Sequence, residues 1–409
     1  MLIFGSGMSS APTASEAARE AAARALAAFD ADAVDGGAAP KLAIVFGSVS
    51  YPDAASIPAA VREVVGDVAL VGGSSGASVI GPGGIARRGV SLVLIGGDDM
   101  EIATRVAKLG GPDLVAIVPA AQEIAHAADE AAKRGFEHHA CLVFAPGIFV
   151  DGEALVAAVR KGAGARAQLA GGLTGDDMTM DRPRVFVGDE LRDDSVLLAG
   201  IYTRKHVGIA ARHGWRAVGP VRTVTRADGP QLHELDHRPA LEVWLEDARR
   251  AGACPPDSDA KELALYLANR YELGLLDPQS KGRKQDGELV VRAPWEIGTD
   301  GSVTLSGSIG EGRRVQVVHA SRNDLLRAST EAAADAVMRA GGHVAGALVL
   351  ACSGRLAVLG SDLQEEAAGI CNRIGAPIGG ACVFGEIAKN ERAVDAFFNT
   401  TVVVVAFGS

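Results

Sequence analysis

The chain of 409 residues carries 40 basic and 50 acidic residues and a formal net charge of −10, with no basic block and no aromatic–basic interleaving, which argues against nucleic-acid and anionic-membrane partners. Hydrophobic residues make up 48% of the chain and aromatics only 4%, so Ala, Val, Leu and Gly have to fill the cores, and 51 glycines point to many tight turns between short elements. The length suits two or three domains. No uncharged run reaches the roughly 18 residues of a membrane span, and no basic region precedes "MLIFGSGM" as it would in a signal peptide.

In chain order, an opening strand "MLIFGS" precedes an Ala- and Glu-rich helical pattern at 14–29 and the strand "KLAIVFGS" (41–48). A second helical stretch, the pair Gly72-Gly73 and the strand "VSLVLIGG" (90–97) follow. The same order recurs as "MEIATRVA", a helix at 120–134, "ACLVFAPG" (140–147), Gly171-Gly172 and "SVLLAGI" (195–201). It recurs again as "RRVQVVHA", a helix at 324–340, "GALVLACSG" (346–354), Gly379-Gly380 and "TTVVVVAFG" (400–408). The first glycine of each pair comes 26, 27 and 29 residues after Phe46, Phe144 and Leu350. The reading is a unit of about 100 residues present three times, over 1–97, 100–201 and 313–408. Residues 202–312 are the candidate for a fourth, more divergent copy, with strands expected at 206–211, 221–226, 288–293 and 302–307 and a helix at 238–250. The polar stretch 277–288 reads as flexible. The expected fold class is α/β with α+β mixing: repeated β-α-β-α-β-β-β units whose mixed sheets are flanked by helices.

Gly72, Ser74 and Gly76 in "VGGSSG" satisfy G-x-S-x-G, the pattern of a hydrolase nucleophile elbow. That chemistry needs a helix behind the serine, and "ASVIGPGGIARRG" cannot form one. The equivalent positions in the other copies carry Leu173 and Ala381. Gly72, Gly73, Gly171, Gly172, Gly379 and Gly380 therefore read as a repeated structural turn or a place of close backbone approach, and no catalytic residue is assigned. "GPGGIA" (81–86) lacks the long helix of a dinucleotide site, and no G-x-x-x-x-G-K occurs.

In "CSGR", Cys352 and Arg355 are separated by two residues, too few for the oxyanion-wrapping loop of phosphate-binding thiol enzymes. Cys352 reads as a small hydrophobe at a strand end, with a cysteine enzyme as an alternative. Arg355 directly follows an apolar strand, where a guanidinium can hold a carboxylate in bidentate fashion. The repeat register places Glu386 near the Cys352 loop. Arg355 and Glu386 read equally as an ion pair or as grips on the two ends of an amino acid. Asp176, Asp177, Asp181, Glu365 and Glu366 read as solvated loop residues rather than cation ligands. Five scattered cysteines without C-x-x-C spacing, and nine histidines without an i,i+4 pair inside a helix, point to no metal site, and the cysteines suit a reducing cytoplasm. A single axial haem ligand would leave no motif.

The stretch "HGWRAVGPVRTVTRADGPQLHELDHRPALEVW" (213–244), then "VR" at 291–292, "SGSIGEG" (306–312), "CSGR", "GGACVFGE" (379–386) and "NTT" (399–401) resemble, in order, the C-terminal FIST domain (F-box and intracellular signal transduction), with His237 in place of a usual glycine. The first half, through "GGSSGASVIGPGG" and "GVSLVLIGGD", resembles the N-terminal FIST domain, which implies domains at 1–201 and 202–409. The resemblance implies a cytoplasmic, non-enzymatic sensory module for an amino acid or related metabolite. It gives Cys352, Arg355, Glu386, Asn399 and Thr400 as ligand-binding, with Asn399 and Thr400 supplying neutral hydrogen bonds and Gly354 and Gly385 fixing turns. With no kinase, receiver, methyl-acceptor or F-box segment in the chain, the signal is expected to pass to a separate protein. Some members resemble haem-binding nitric-oxide sensors that act on a histidine kinase; for that alternative His206 and His213 are the first ligand candidates, and otherwise no cofactor is expected.

Overall fold

The computed structural model describes residues 1–33, 38–110, 114–257, 259–276, 289–389 and 395–409; the stretch 277–288, read as flexible, lies outside the described residues. The first unit runs β1 (Leu2–Ser9), α1 (Ala14–Asp32), β2 (Pro40–Gly47), α2 (Ile57–Val65), β3 (Ala69–Ser74), the hairpin β4 (Val79–Gly81) and β5 (Gly84–Ala86), and β6 (Val90–Gly97). The second repeats it as β7 (Met100–Lys108), α3 (Ile117–Lys133), β8 (His138–Pro146), α4 (Gly152–Ala163), β9 (Gln168–Thr174), the hairpin β10 (Val185–Val187) and β11 (Glu190–Arg192), and β12 (Ser195–Thr203).

The third unit opens with β13 (Val207–Arg212), which pairs with the closing strand as β1 pairs with β6 and β7 with β12. "RRVQVVHA" is therefore not its opening strand. Between β13 and the rest of the unit lies an insert: β14 (Arg216–Ala217), β15 (Arg222–Asp228), β16 (Gln231–Leu235), β17 (Arg238–Pro239), α5 (Ala240–Arg250), α6 (Ala260–Arg270), β18 (Tyr271–Leu276), β19 (Leu289–Arg292), β20 (Pro294–Ile297), β21 (Val303–Leu305) and β22 (Arg314–His319). The unit then resumes with α7 (Arg322–Arg339), β23 (Val344–Cys352), α8 (Ser353–Leu359), α9 (Leu363–Ile374), β24 (Ile378–Val383), the hairpin β25 (Gly385–Lys389) and β26 (Asp395–Phe398), and β27 (Val402–Gly408).

The insert is not a fourth copy. The described pairings within its sheet are antiparallel, in the order β19-β18-β22-β15-β16-β21-β20. Each true unit instead contains one parallel pair, β2–β3, β8–β9 or β23–β24, with helix crossing between its strands. Its tight β16–β17 turn puts Asp236 at φ 51° and His237 at φ 63°, so the histidine that replaces the resembling glycine holds a left-handed backbone.

The three unit sheets exchange hairpins in a ring. β4–β5 of the first unit adds to β24 of the third, β10–β11 of the second adds to β3 of the first, and β25–β26 of the third adds to β9 of the second. The inner faces of all three sheets meet in one core. Leu42, Ile44 and Phe46, then Leu142 and Phe144, then Leu348, Leu350, Val403, Val405 and Phe407 alternate into it, with Phe46 edge-on to Phe144 at 5.5 Å. Ala43 and Val45, Cys141 and Val143, and Val349 and Val404 point the other way, under the helices. Strands buried on both faces explain the near-continuous apolar runs of the sequence.

Helix packing on these sheets is close because it uses alanine over glycine. α1 is capped by the Thr13 hydroxyl on the Glu16 amide and buries Ala14, Ala17, Ala18, Ala21, Ala22 and Ala25. A side chain at Gly5 or Gly7 of β1 would sit 2.2 Å from the Ala25 carbonyl or 2.1 Å from that of Ala21.

The glycine pairs lie inside strands rather than in turns. Gly72, Gly171 and Gly380 have φ of 122°, 149° and 153° and sit beside Val45, Val143 and Val349 of the parallel neighbour. A Cβ there would meet the facing carbonyl oxygens at 2.0, 2.0 and 1.8 Å. The third-unit equivalent of Gly72 is thus Gly380, one residue beyond the sequence register, and the counterpart of Ser74 is Cys382 rather than Ala381. Gly73, Gly172 and Gly379 also belong to β3, β9 and β24, Gly385 opens β25, and Gly354 lies in α8.

Candidate functional site

A cavity of about 950 Å³ opens where the insert covers the second and third units. Its walls are largely apolar: Phe149, Leu173, Met178, Leu305, Phe384 and Phe397 among them. α6 presents Lys261, Ala264, Leu265, Ala268 and Asn269, spaced for one helical face, and Glu272 follows on β18. The third unit contributes Cys352, Ser353 and Gly354 at the β23–α8 junction, and Asn399 and Thr400 between β26 and β27.

The 399–401 turn is the hub of the site. Thr400, a β-branched residue, sits at φ 49°, a conformation that costs on the order of 1–3 kcal/mol and needs strong local determination. Its carbonyl accepts from Arg355 Nη1 at 3.0 Å and its hydroxyl donates to Glu272 Oε2 at 2.8 Å. The Thr401 amide donates to Glu386 Oε2 at 3.3 Å, and Asn399 Nδ2 donates to the Ser306 carbonyl at 3.4 Å. Gly354 keeps the helix end close, since a Cβ there would lie 2.9 Å from Thr400 Cγ2.

Of the sequence-derived ligand residues, Cys352, Asn399 and Thr400 line the cavity, whereas Arg355 and Glu386 do not. Arg355 is fully buried and all its donors are used inside the protein. Nε faces Glu366 at 2.9 Å; Nη1 donates to the carbonyls of His213 and Thr400, and Nη2 to the Leu325 carbonyl and the Ser329 hydroxyl. The carboxylate it grips is Glu366, only 2% exposed and so not a solvated loop residue. Asp176 is buried as well, its carboxylate accepting the Met180 and Arg182 amides. Asp177 accepts from Ser48, Ser50 and Ser75 of the first unit. Asp181 and Glu365 are exposed.

Glu386 is packed beside Cys352 as the register implied, but behind the cavity floor. Burial pushes its carboxyl well above the usual carboxylate range, and it does the same to Glu272. The Cys352 thiol is raised by burial and then by Glu386, which keeps it protonated and a poor nucleophile. Ser74 is equally unsuited: its fully buried hydroxyl accepts the Arg184 amide at 2.7 Å and donates to the Gly175 carbonyl. Among the described residues no cluster of three metal-ligating side chains forms.

The haem candidates do not make a haem pocket. His206 is exposed and packs against His138 with ring centroids 4.0 Å apart and planes tilted by 43°. His213 is buried at the far end of β13, where Nδ1 accepts the Trp215 amide at 2.9 Å. The neutral ring then carries its proton on Nε2, the nitrogen an iron would need. Burial lowers this histidine to about 4. The space beside it is about 250 Å³ and lined by Arg212, Arg216, Asp324, Arg327 and Glu331, a charged wall for an apolar macrocycle.

Glu272 and Asn269 are the site residues that sequence reasoning missed. The available signal was a lone acid inside the buried run "YELGLL", directly after a helix whose spaced small residues form one face. Arg292, of the "VR" motif, is also buried; it ties the insert to Glu153 of α4 and to the Phe397 carbonyl beneath the cavity wall.

A FIST N domain model matches residues 41–238 and a FIST C domain model matches 240–389. The chain belongs to the FIST family. FIST domains are sensory domains of signal transduction. No curated protein matches it. Among solved structures it is similar to a cyanuric acid hydrolase from A. caulinodans, with 10% identity, full coverage of both chains and a TM-score of 0.38. It is also similar to a chorismatase, with 11% identity over 92% of this chain and 95% of that one and a TM-score of 0.30. Likenesses this slight carry no argument about the chemistry of this FIST protein. No described helix is long and apolar enough to cross a membrane.

Proposed function

We propose that this FIST protein is a cytoplasmic sensor that binds an amino acid or related small metabolite in the cavity beneath the insert. Occupancy is passed to a separate signalling protein, such as a histidine kinase. One observation carries the reading: a cavity of about 950 Å³ has apolar walls and a floor of buried polar groups, Glu272, Asn399 and Thr400, gathered by a strained turn. Size and lining match those of small-molecule sites, where a few fixed polar groups set orientation. The arrangement binds rather than reacts, because the one thiol on the wall is held protonated and the candidate serine lies elsewhere in a closed hydrogen-bond set.

Trp295 provides the test. It lines the cavity and is 50% exposed, whereas Trp215 and Trp244 are buried at 1% and 0% exposure. A ligand from a panel of amino acids, amines and related metabolites is expected to change tryptophan emission. At about 100 Kd it should also raise Tm by a few degrees, the effect of roughly 2.7 kcal/mol of binding linkage. Trp295→Phe should lose the emission change and keep the thermal shift. A broad panel that moves neither signal would refute the reading.

A further inference from the structure

Three residues that line the cavity each carry a buried oxygen with no hydrogen-bond partner among the described residues: Glu272 Oε1, Asn269 Oδ1 and Asn399 Oδ1. Glu272 and Asn399 are 0% and 1% exposed, so water does not compensate freely, and an unmet buried acceptor costs about 1–3 kcal/mol. The Asn399 orientation is fixed, because its Nδ2 already donates to Ser306.

The donors of the lining are spent elsewhere. The hydroxyls of Ser306, Ser308, Ser353 and Thr400 donate to the Ala293 carbonyl, Asp151, the Val383 carbonyl and Glu272. Arg355 is saturated and turned away. Lys261 is the one basic side chain on the wall, and it is exposed, at the mouth, as is the acid Asp151. The neutral side-chain donors left among the described residues are Asn269 Nδ2 and the half-exposed Trp295 Nε1, so the floor offers more unmet acceptors than donors and no cation.

We propose that the cavity reads an organic ammonium head, donating to Glu272 Oε1, Asn269 Oδ1 and Asn399 Oδ1, with its apolar body against Phe384, Phe397 and Leu305. This rests on the sensor reading above and narrows it: the grip is on the amine, and a free carboxylate beside that amine is disfavoured. A primary ammonium brings three N–H groups to a lining with three unmet oxygens. An adjacent carboxylate would meet acceptors and no spare cation.

Charge balance adds a readout. The groups facing Glu272 are Arg355, Glu386 and Cys352 of the third unit, with Thr400 as hydrogen-bond donor; Lys261 and Asp151 stand at the mouth. Burial pushes the Glu272 carboxyl toward its protonated form, and an ammonium favours its ionised form. Binding then releases a proton, and affinity rises with pH until the free amine itself titrates.

The test uses the full chain with three probes that share a phenylethyl body: 2-phenylethylamine, phenylalanine and 3-phenylpropionate. Calorimetry in buffers of different ionisation enthalpy is expected to show the amine binding at least about 10-fold tighter than phenylalanine, with proton release. No binding of the carboxylate is expected. Glu272→Gln keeps the Thr400 contact and should not lower Tm, yet should weaken the amine roughly 10- to 100-fold. Asn269→Leu, on the helix face, should weaken it without unfolding the protein. Equal or tighter binding of the carboxylate probes overturns the proposal, as does amine binding that survives Glu272→Gln. If another class in the wider panel binds and the amine does not, the ammonium proposal falls and the sensor reading stands. If nothing in the panel binds, both fall.

Discussion

Arg355 sits at 0% exposure between α7, α8, α9 and the 399–401 turn, joined to Glu366 and to carbonyls of three separate segments. Removing one partner of such a buried pair strands the other charge, at a cost of about 3–5 kcal/mol. Arg355→Ala is therefore expected to lose stability on that scale in urea unfolding, and to lose ligand only in proportion to the unfolded fraction. A variant of wild-type stability that no longer binds would instead return Arg355 to the ligand site. Sequence reasoning singled out this arginine, from its place after an apolar strand, as a grip on a ligand, but burial decides its partner and burial of one side chain is not written locally. Glu366 read as a solvated loop residue for the same reason. Glu272 went unnoticed because a single acid in an apolar run carries no spacing. Asn399 and Thr400 were reachable only as members of an ordered motif set, and the geometry then gave them a physical role.

At the scale of elements, strand interiors were legible wherever both faces are buried, since "KLAIVFGS", "ACLVFAPG" and "GALVLACSG" are continuous apolar runs. The glycine spacing exposed the repeat but slipped by one residue in the third unit, because "GG" there is Gly379-Gly380 and the strained position is the second glycine. Those positions demand glycine on two counts, a positive φ and a carbonyl within 2.0 Å of any Cβ. Gly72→Ala, Gly171→Ala and Gly380→Ala are each expected to cost roughly 3–5 kcal/mol by chemical denaturation. Gly375→Ala, in the left-handed helical region at φ 66° and ψ 17° with nothing within 4 Å, should cost only about 1 kcal/mol. Equal losses at all four sites would mean that conformation alone, without the close strand approach, sets the requirement.

Across the whole molecule, what the sequence could not show was connectivity between units. The opening strand of the third unit lies more than 100 residues before its helix, so "RRVQVVHA", adjacent to that helix, looked like the better candidate. The hairpins offered no sign that each belongs to a neighbour's sheet, since donation leaves no mark on local pattern. A consequence is measurable: residues 1–201 alone would leave β4–β5 without β24 and β9 without β25. Unpaired edges of that kind recruit other chains, so the fragment is expected to elute as larger assemblies than the full chain in size-exclusion chromatography. A folded, monomeric fragment would show the exchange to be dispensable. The ring also sets the mechanics of the protein. Turning one unit against another shears a continuous hydrogen-bonded sheet, whichever pair is chosen, so the three units form a stiff frame. The insert keeps its own sheet and shares no described ladder with that frame. Insert and frame are instead fastened by side chains, among them Arg292 on Glu153 and Thr400 on Glu272, so a ligand held between them acts on those contacts rather than on a ladder.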